Sequence, residues 1–355
     1  MRAPSANSST LPEPIGLQIS APVEAKAATS AAAKFAAALQ FSEKECHEIE
    51  LTVSELASNL LKHGDGGTLQ FIPLQQQNQH GIQIVSQNQS RSSADLERAL
   101  TDGFSTRGTL GAGLGAINRF MDSVEFQPSA RSGLRIVCRR WVRPDTGNLR
   151  ERPLEFAAAT RSWRLAAENG DAFVVQQWDG HALAGVIDGL GHGSGAQRAA
   201  MAARQYLEHH FDQPIDALFR GVERACRATR GVVMCVARFD LLRQTLQLAG
   251  IGNIEVRLLG SSAPFKFVIR RGVLGMASAP KPVVSQHAWT PECVLVMQSD
   301  GVKNNWQPDE VKSIPGNNPV LIAKHLLDRY GTMNDDSTVL VVKNRRRRGE
   351  QNLAA

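Results

Sequence analysis

The stretch VIDGLGHGSGA, Val186 to Ala196, runs an apolar segment into an aspartate and then sets four glycines around one histidine. Three chemistries compete for it: a phosphate-cradling loop, a metal site, or a tight turn with a surface histidine. No lysine follows the glycines in a Walker pattern, and the Asp188 carboxylate repels phosphate unless a cation stands between them. A turn explains one Asp-Gly pair well enough. It does not explain the company this one keeps.

The same design recurs three times. Asp171 in NGDAFVV, Asp300 in LVMQSDGV and the pair Asp335–Asp336 in NDDSTVLVV each put an acid where an apolar strand begins or ends. Carboxylates aimed from rigid strand ends at one point cannot all stay charged without a cation among them. An all-oxygen donor set with no cysteine partner suits magnesium or manganese. Glycine at position 189 leaves room for the backbone to approach an ion.

Taken in order, GDAFVV, DGLGHG, TRGVVMCVA (Thr229–Ala237), LAGIGN (Leu248–Asn253), SDGV and DDSTVLVV span Glu155–Lys343. The set resembles the metal-dependent Ser/Thr phosphatases of the PPM type, specifically the SpoIIE branch with its RsbX-like members. The resemblance implies an αββα four-layer sandwich and two divalent ions, Mn²⁺ or Mg²⁺, bridged by a hydroxide. Asp188 would bridge both ions, with the Gly189 carbonyl on one. Asp300 and Asp335 would complete the carboxylate shell, Asp171 would ligate directly or through water, and Asp336 would stand behind the ligands. Ions of this kind lower the pKa of water and offset phosphoryl charge. The departing seryl or threonyl oxygen needs a proton, and His192 is the candidate donor; a solvent-facing loop histidine is the plain alternative. No arginine stands out as a phosphate ligand.

The first half reads differently. An Ala-rich segment, Lys26–Gln40, has strong helix propensity. In FSEKECHEIELTVSELASNLLKHG, Ser42 and Glu45 form a capping box, Gly64 supplies the stop, and Ile49, Val53, Leu56 and Leu60 repeat at helical spacing. TLQFIPL and GIQIVSQ alternate as strands, and SADLERAL reads as a short helix. Glu55, Asn59 and His63 share one face of the long helix. With DGFSTRGTLGAGLGAINRFMD (Asp102–Asp122) they resemble the GHKL ATPase/kinase superfamily, in particular RsbT-type serine kinases and anti-sigma factors. That resemblance covers roughly Ile15–Trp141. It implies a Bergerat-type two-layer α/β sandwich, Asn59 holding Mg²⁺, Glu55 as the base, and Gly108, Gly111 and Gly113 in the lid over the ATP phosphates. The family's D-x-G-x-G box is here NQSRS, Asn88 to Ser92. Asn88 keeps an oxygen acceptor for adenine but loses the charge, and Ser90 and Ser92 add side chains where tight turns want none. Weakened or absent ATP binding is therefore expected, and a domain kept for protein binding is the alternative.

Totals set outer limits. The 355 residues suit about two domains, and five scattered cysteines without a C-x-x-C pair argue for a reducing compartment. The net charge of +6 owes most of its excess to Arg345–Arg348, and no nucleic-acid fold signature accompanies it. The start lacks the apolar core of a signal peptide and no run is long enough to span a bilayer, so a cytoplasmic protein binding neither membrane nor nucleic acid is expected.

The expected organisation is α+β throughout: a disordered segment 1–14, a GHKL-like domain 15–142, a basic linker 143–154, a PPM-type domain 155–343 and a basic tail 344–355. Expected function is dephosphorylation of a phosphoserine or phosphothreonine on a STAS-domain, anti-anti-sigma or stressosome protein, with a sigma factor as a further partner. A bifunctional anti-sigma kinase/phosphatase and a sequestering switch are the alternatives. The sequence leaves the oligomeric state open.

Overall fold

The computed structural model describes residues 11–63, 66–76, 79–88, 117–129, 133–142, 153–276, 280–314 and 317–345. The first half begins with strand β1 (Ile15–Ile19) and two helices, α1 (Pro22–Ala38) and α2 (Glu43–His63). Helix α1 starts four residues before the Ala-rich run. Pro22 occupies its first turn, where the missing N–H costs nothing, and Glu24 accepts from the backbone N–H of Ser20 and Ala21 at 2.5 and 3.1 Å. Helix α2 opens with the expected box: Ser42 N–H donates to Glu45 at 3.0 Å, and Glu45 N–H donates to Ser42 Oγ at 3.4 Å. Its stripe of Ile49, Val53, Leu56 and Leu60 is wholly buried, each side chain contributing about 1.5–3 kcal/mol of apolar burial.

The expected strands form the antiparallel pair β2 (Gly67–Gln76) and β3 (Gln79–Asn88), followed by β4 (Ser123–Ser129) and β5 (Gly133–Trp141). In the second half come β6 (Leu154–Arg161), β7 (Asp171–Trp178), β8 (His181–Gly189), α3 (Ser194–His210), α4 (Ile215–Ala225), β9 (Val232–Asp240), β10 (Thr245–Ile251) and β11 (Glu255–Leu259). Then follow β12 (Ser285–Ala288), β13 (Val294–Gln298), the short α5 (Pro308–Lys312), α6 (Pro319–Tyr330) and β14 (Ser337–Asn344). One strand reading is corrected. FKFVIR (Phe265–Arg270) forms no strand: its one ladder contact is an isolated bridge between Ile251 and Arg270, and Phe265, Phe267 and Ile269 pack on the inter-sheet core by side chain alone. The neighbour of β10 is instead β12, whose residues alternate between half-buried and exposed and carry little apolar signal.

These strands make two sheets. One has nine strands in the order β1-β2-β3-β5-β4-β6-β14-β13-β11, and the other five in the order β12-β10-β9-β8-β7. The larger sheet crosses from the first half into the second through a parallel pairing of β4 with β6, which sets Val124, Glu125 and Phe126 beside Ala157, Ala158 and Ala159. A core including Phe156, Leu295, Met297, Phe173, Val186 and Cys235 fills the space between the sheets. Helices α3 and α4 cover the outer face of the five-stranded sheet. Helices α1, α2 and α6 share one core on the outer face of the nine-stranded sheet. The αββα layering follows, and the first half's two layers extend one side of it.

Where the inner face of the first half meets α3 and β7, the contact is polar. Gln176 donates to Gln76 at 3.0 Å, and Gln76 donates to the Glu208 carbonyl. Arg139 pairs with the buried Glu125 at 3.3 Å, and Arg204 with Glu208 at 2.7 Å.

Candidate active site: acidic strand ends in one cluster

Asp171 opens β7 and Asp188 lies near the end of β8; the antiparallel register sets them directly opposite each other. Strands β13 and β14 are likewise antiparallel neighbours, so Asp300, just after β13, comes beside Asp335 and Asp336, just before β14. Ser299 ties the two sheets together at this end. Its hydroxyl donates to Asp171 at 2.6 Å and accepts from Thr338 N–H at 2.8 Å, while its own N–H donates to the Thr338 carbonyl at 3.0 Å. Beneath lies a buried polar floor, where Thr338 and Asn169 each donate to Thr160 Oγ1, at 2.9 and 2.6 Å.

The electrostatics show that the acids share one place. Burial, then the charges of Asp171, Asp300, Asp335 and Asp336, push Asp188 up to about 9. Burial pushes Asp171 up to about 8, against the hydrogen bond from Ser299. Asp300 is raised by burial and by Asp335, and Asp336 by burial and again by Asp335. Carboxyls of this kind ionise at neutral pH only when a cation replaces the lost solvent. Among the described residues no three acids stand as a finished ligand cage. Their oxygens face local donors instead: Asn253 Nδ2 donates to Asp300 at 2.7 Å, and Asp336 N–H to Asp335 at 2.9 Å. The buried oxygen Asp336 Oδ2 has no hydrogen-bond partner among the described residues. A dense, all-oxygen set with shared excess charge fits hard divalent ions.

The VIDGLGHGSGA stretch supplies the end of β8, the loop and the start of α3. A Cβ on Gly189 would lie 2.2 Å from the Ala196 carbonyl oxygen, so glycine is what lets the first turn of α3 close onto the strand end. Gly191 and Gly193 have φ of +81° and +76°, which L side chains rarely adopt. His192 is exposed between them, but its ring stacks on Trp163 at 4.3 Å and 8° from parallel.

Four further residues carry the site. Trp163, in the short 3-10 turn Trp163–Leu165 after β6, had no sequence signal. Ser299 stands in the QSDG segment as an ordinary serine. Asn253 ends the LAGIGN motif, and its bond to Asp300 accounts for an amide there. Arg230 is exposed and donates to the His192 carbonyl at 3.4 Å, lying across Gly191 and Gly195.

In the first half, Glu55 and Asn59 are half-buried on α2, and Asn88 is the last residue of β3, paired with Gly67. Gly108, Gly111 and Gly113, with Ser90 and Ser92, lie outside the described residues.

Comparison with known proteins agrees with both halves. The family described as "Histidine kinase-like ATPase domain" matches residues 20–140, and "Stage II sporulation protein E (SpoIIE)" matches residues 179–345. Serine/threonine-protein kinase RsbT of Bacillus subtilis (strain 168) is 30% identical over 105 residues, covering 30% of this chain and 79% of RsbT. Phosphoserine phosphatase RsbX of the same organism is 22% identical over 86 residues, 24% of this chain and 43% of RsbX. A chain from a solved structure of the bacterial stressosome, a modular system adapted to control secondary messenger signalling, is similar at a TM-score of 0.51 and 26% identity. That match covers 54% of this chain and 99% of the other. The chain therefore belongs to the histidine kinase-like ATPase family that includes RsbT, and its second half is a SpoIIE-type serine/threonine phosphatase domain.

Proposed function

We propose that the chain removes phosphate from a phosphoserine or phosphothreonine on a STAS-domain or anti-anti-sigma protein of a stress-signalling pathway. The reaction runs in a domain spanning 155–343. The observation that carries this reading is the gathering of Asp171, Asp300, Asp335 and Asp336 around Asp188, strongly enough to push its carboxyl up to about 9.

Asp188, Asp300 and Asp335, the Gly189 carbonyl and Asp171 are the groups that would hold two Mn²⁺ or Mg²⁺ ions. When bound, such ions supply Lewis acidity and an activated water. Asp171 and Asp188 contribute their charge only in that state. Ser299 and Asn253 orient Asp171 and Asp300 through their hydrogen bonds. His192, exposed at the mouth of the cluster, protonates the departing seryl oxygen. Preference for a stress-pathway phosphoprotein rests on the likeness to RsbT and RsbX and on a stressosome-related fold.

The domain spanning 15–142 serves partner recognition, placing the phosphatase beside its target at high local concentration. Asn88 in place of an acid favours this over efficient kinase turnover. Among the described residues no helix is long and apolar enough to cross a membrane, and we place the protein in the cytoplasm. The test is manganese-dependent hydrolysis of p-nitrophenyl phosphate by the full chain. Activity is expected, and is expected to vanish in Asp188→Asn and Asp300→Asn. Absence of hydrolysis, or indifference to both substitutions, sinks the reading.

A further inference from the structure

We infer that Trp163 is a positioning residue that holds His192 in place to deliver its proton, an inference that rests on the phosphatase reading above. The indole and imidazole centroids lie 4.3 Å apart with their planes 8° from parallel, a stacked contact. His192 sits between two glycines with its carbonyl accepting from Arg230 at 3.4 Å, and its side chain makes no hydrogen bond to another described side chain. The stack is therefore what fixes the ring.

Trp163 is itself firmly held. Its backbone N–H donates to Asp336 Oδ1 at 2.8 Å, and Asp336 is 2% exposed. The turn carrying it is strained: Arg164 and Leu165 have φ of +47° and +56°, both in the left-handed region. Conformations of this sort are unfavourable for L residues and persist only where the surroundings over-determine them. Here Arg164 N–H donates to the Met333 carbonyl at 3.2 Å, Leu165 N–H to the Ser162 carbonyl at 3.0 Å, and Ser162 Oγ to the Ala166 carbonyl at 2.6 Å. The Arg164 guanidinium lies 4.9 Å from the indole centroid. A strained turn held by Met333 and Asp336 and by its own internal hydrogen bonds presents one indole to one imidazole. Asp336, whose N–H donates to Asp335 at 2.9 Å, links this turn to the acidic cluster.

The balance of the step is simple. Water forms the new bond to phosphorus, and the bond from phosphorus to the seryl oxygen breaks with its electron pair on oxygen. That oxygen takes the proton of His192, giving serine and inorganic phosphate, and the proton lost by the attacking water restores the imidazolium.

The experiment compares two leaving groups in the full-length protein with Mn²⁺. Nitrophenolate leaves without a proton, whereas a seryl oxygen needs one. On a phosphoserine peptide, His192→Ala and Trp163→Ala are each expected to lower kcat by roughly 10²-fold with KM little changed. On p-nitrophenyl phosphate, whose leaving group needs no proton, the loss should be at least tenfold smaller than on the peptide for both variants. Trp163→Phe should restore most of the peptide activity, and the double variant should be no worse than His192→Ala alone. A readout free of activity is the NMR spectrum of the protein in EDTA. The His192 ring protons should be shifted upfield by the indole and should lose that shift in Trp163→Ala. Equal losses on both substrates for Trp163→Ala, or losses that multiply with those of His192→Ala, overturn the inference. If His192→Ala itself shows no dependence on the leaving group, its role as proton donor fails instead.

Discussion

Replacing Asp188 by asparagine should abolish catalysis and, without divalent ions, make the protein more stable. In the fold the carboxyl is pushed up to about 9 by burial and by four neighbouring acids, against about 3.9 in an unfolded chain. At pH 7 the folded state therefore holds a proton that the unfolded state has released, a difference of about three pH units. At about 1.36 kcal/mol per unit this gives an upper figure of about 4 kcal/mol. Asp171 shares the same excess charge, so about 2 kcal/mol is the working value, or a melting shift of roughly 3 °C for a chain of this size. The sign follows from linkage. A group that binds its proton more tightly when folded contributes stability that falls as pH rises from its unfolded to its folded pKa. In EDTA the wild-type melting temperature should therefore decline from about pH 4 to about pH 9, and Asp188→Asn should decline less steeply. With millimolar Mn²⁺ the order should invert, because only the wild type gains from ligand binding to the folded state. Calorimetry across that pH range in EDTA is the assay. A variant that melts below wild type at pH 7 in EDTA, or with an unchanged pH slope, refutes the electrostatic reasoning.

Other consequences are equally direct. Gly189→Ala would press a methyl to within 2.2 Å of the Ala196 carbonyl oxygen; a loss of about 1–3 kcal/mol and most activity is expected, seen by denaturant titration and phosphatase assay. Arg140, 2% exposed, pairs with Glu48 at 2.7 Å and Glu45 at 3.3 Å, and Arg140→Met should cost about 3 kcal/mol by urea unfolding. Restoring the family box with Asn88→Asp, Ser90→Gly and Ser92→Gly should strengthen Mg²⁺-ATP binding at least tenfold by titration calorimetry. An unchanged affinity would mean that the box is not what limits nucleotide binding.

The acidic strand ends were legible because short continuous apolar runs read as buried strands, and an acid closing such a run is conspicuous. Asp171, Asp188, Asp300 and Asp335 were found in this way, and helix α2 by its capping box and buried stripe. Trp163 was not legible, since a tryptophan beyond an unremarked strand carries no local pattern and its partner lies twenty-nine positions away. Strand β6 went unread because LEFAAATR, though buried at every position, carries an alanine run that favours helix as readily as strand. FKFVIR failed in the opposite direction. It has the composition of a strand, but β12 holds the place beside β10, and propensity yields to tertiary pairing. The polar contacts of Gln76, Gln176 and Glu208 join residues far apart in sequence, which no single-chain pattern encodes.

The parallel seam between β4 and β6 has a practical consequence for anyone dividing the chain. Cut between them, each half would present a bare strand edge, a row of unpaired amides and carbonyls beside Val124–Phe126 in one piece and Ala157–Ala159 in the other. Exposed edges of that kind invite self-association. Excised halves are therefore poor stand-ins for the whole, and sluggish or aggregated fragments would report the wound rather than the enzyme. Produced together as two chains, the same edges should act as matched templates and rebuild the sheet across the break.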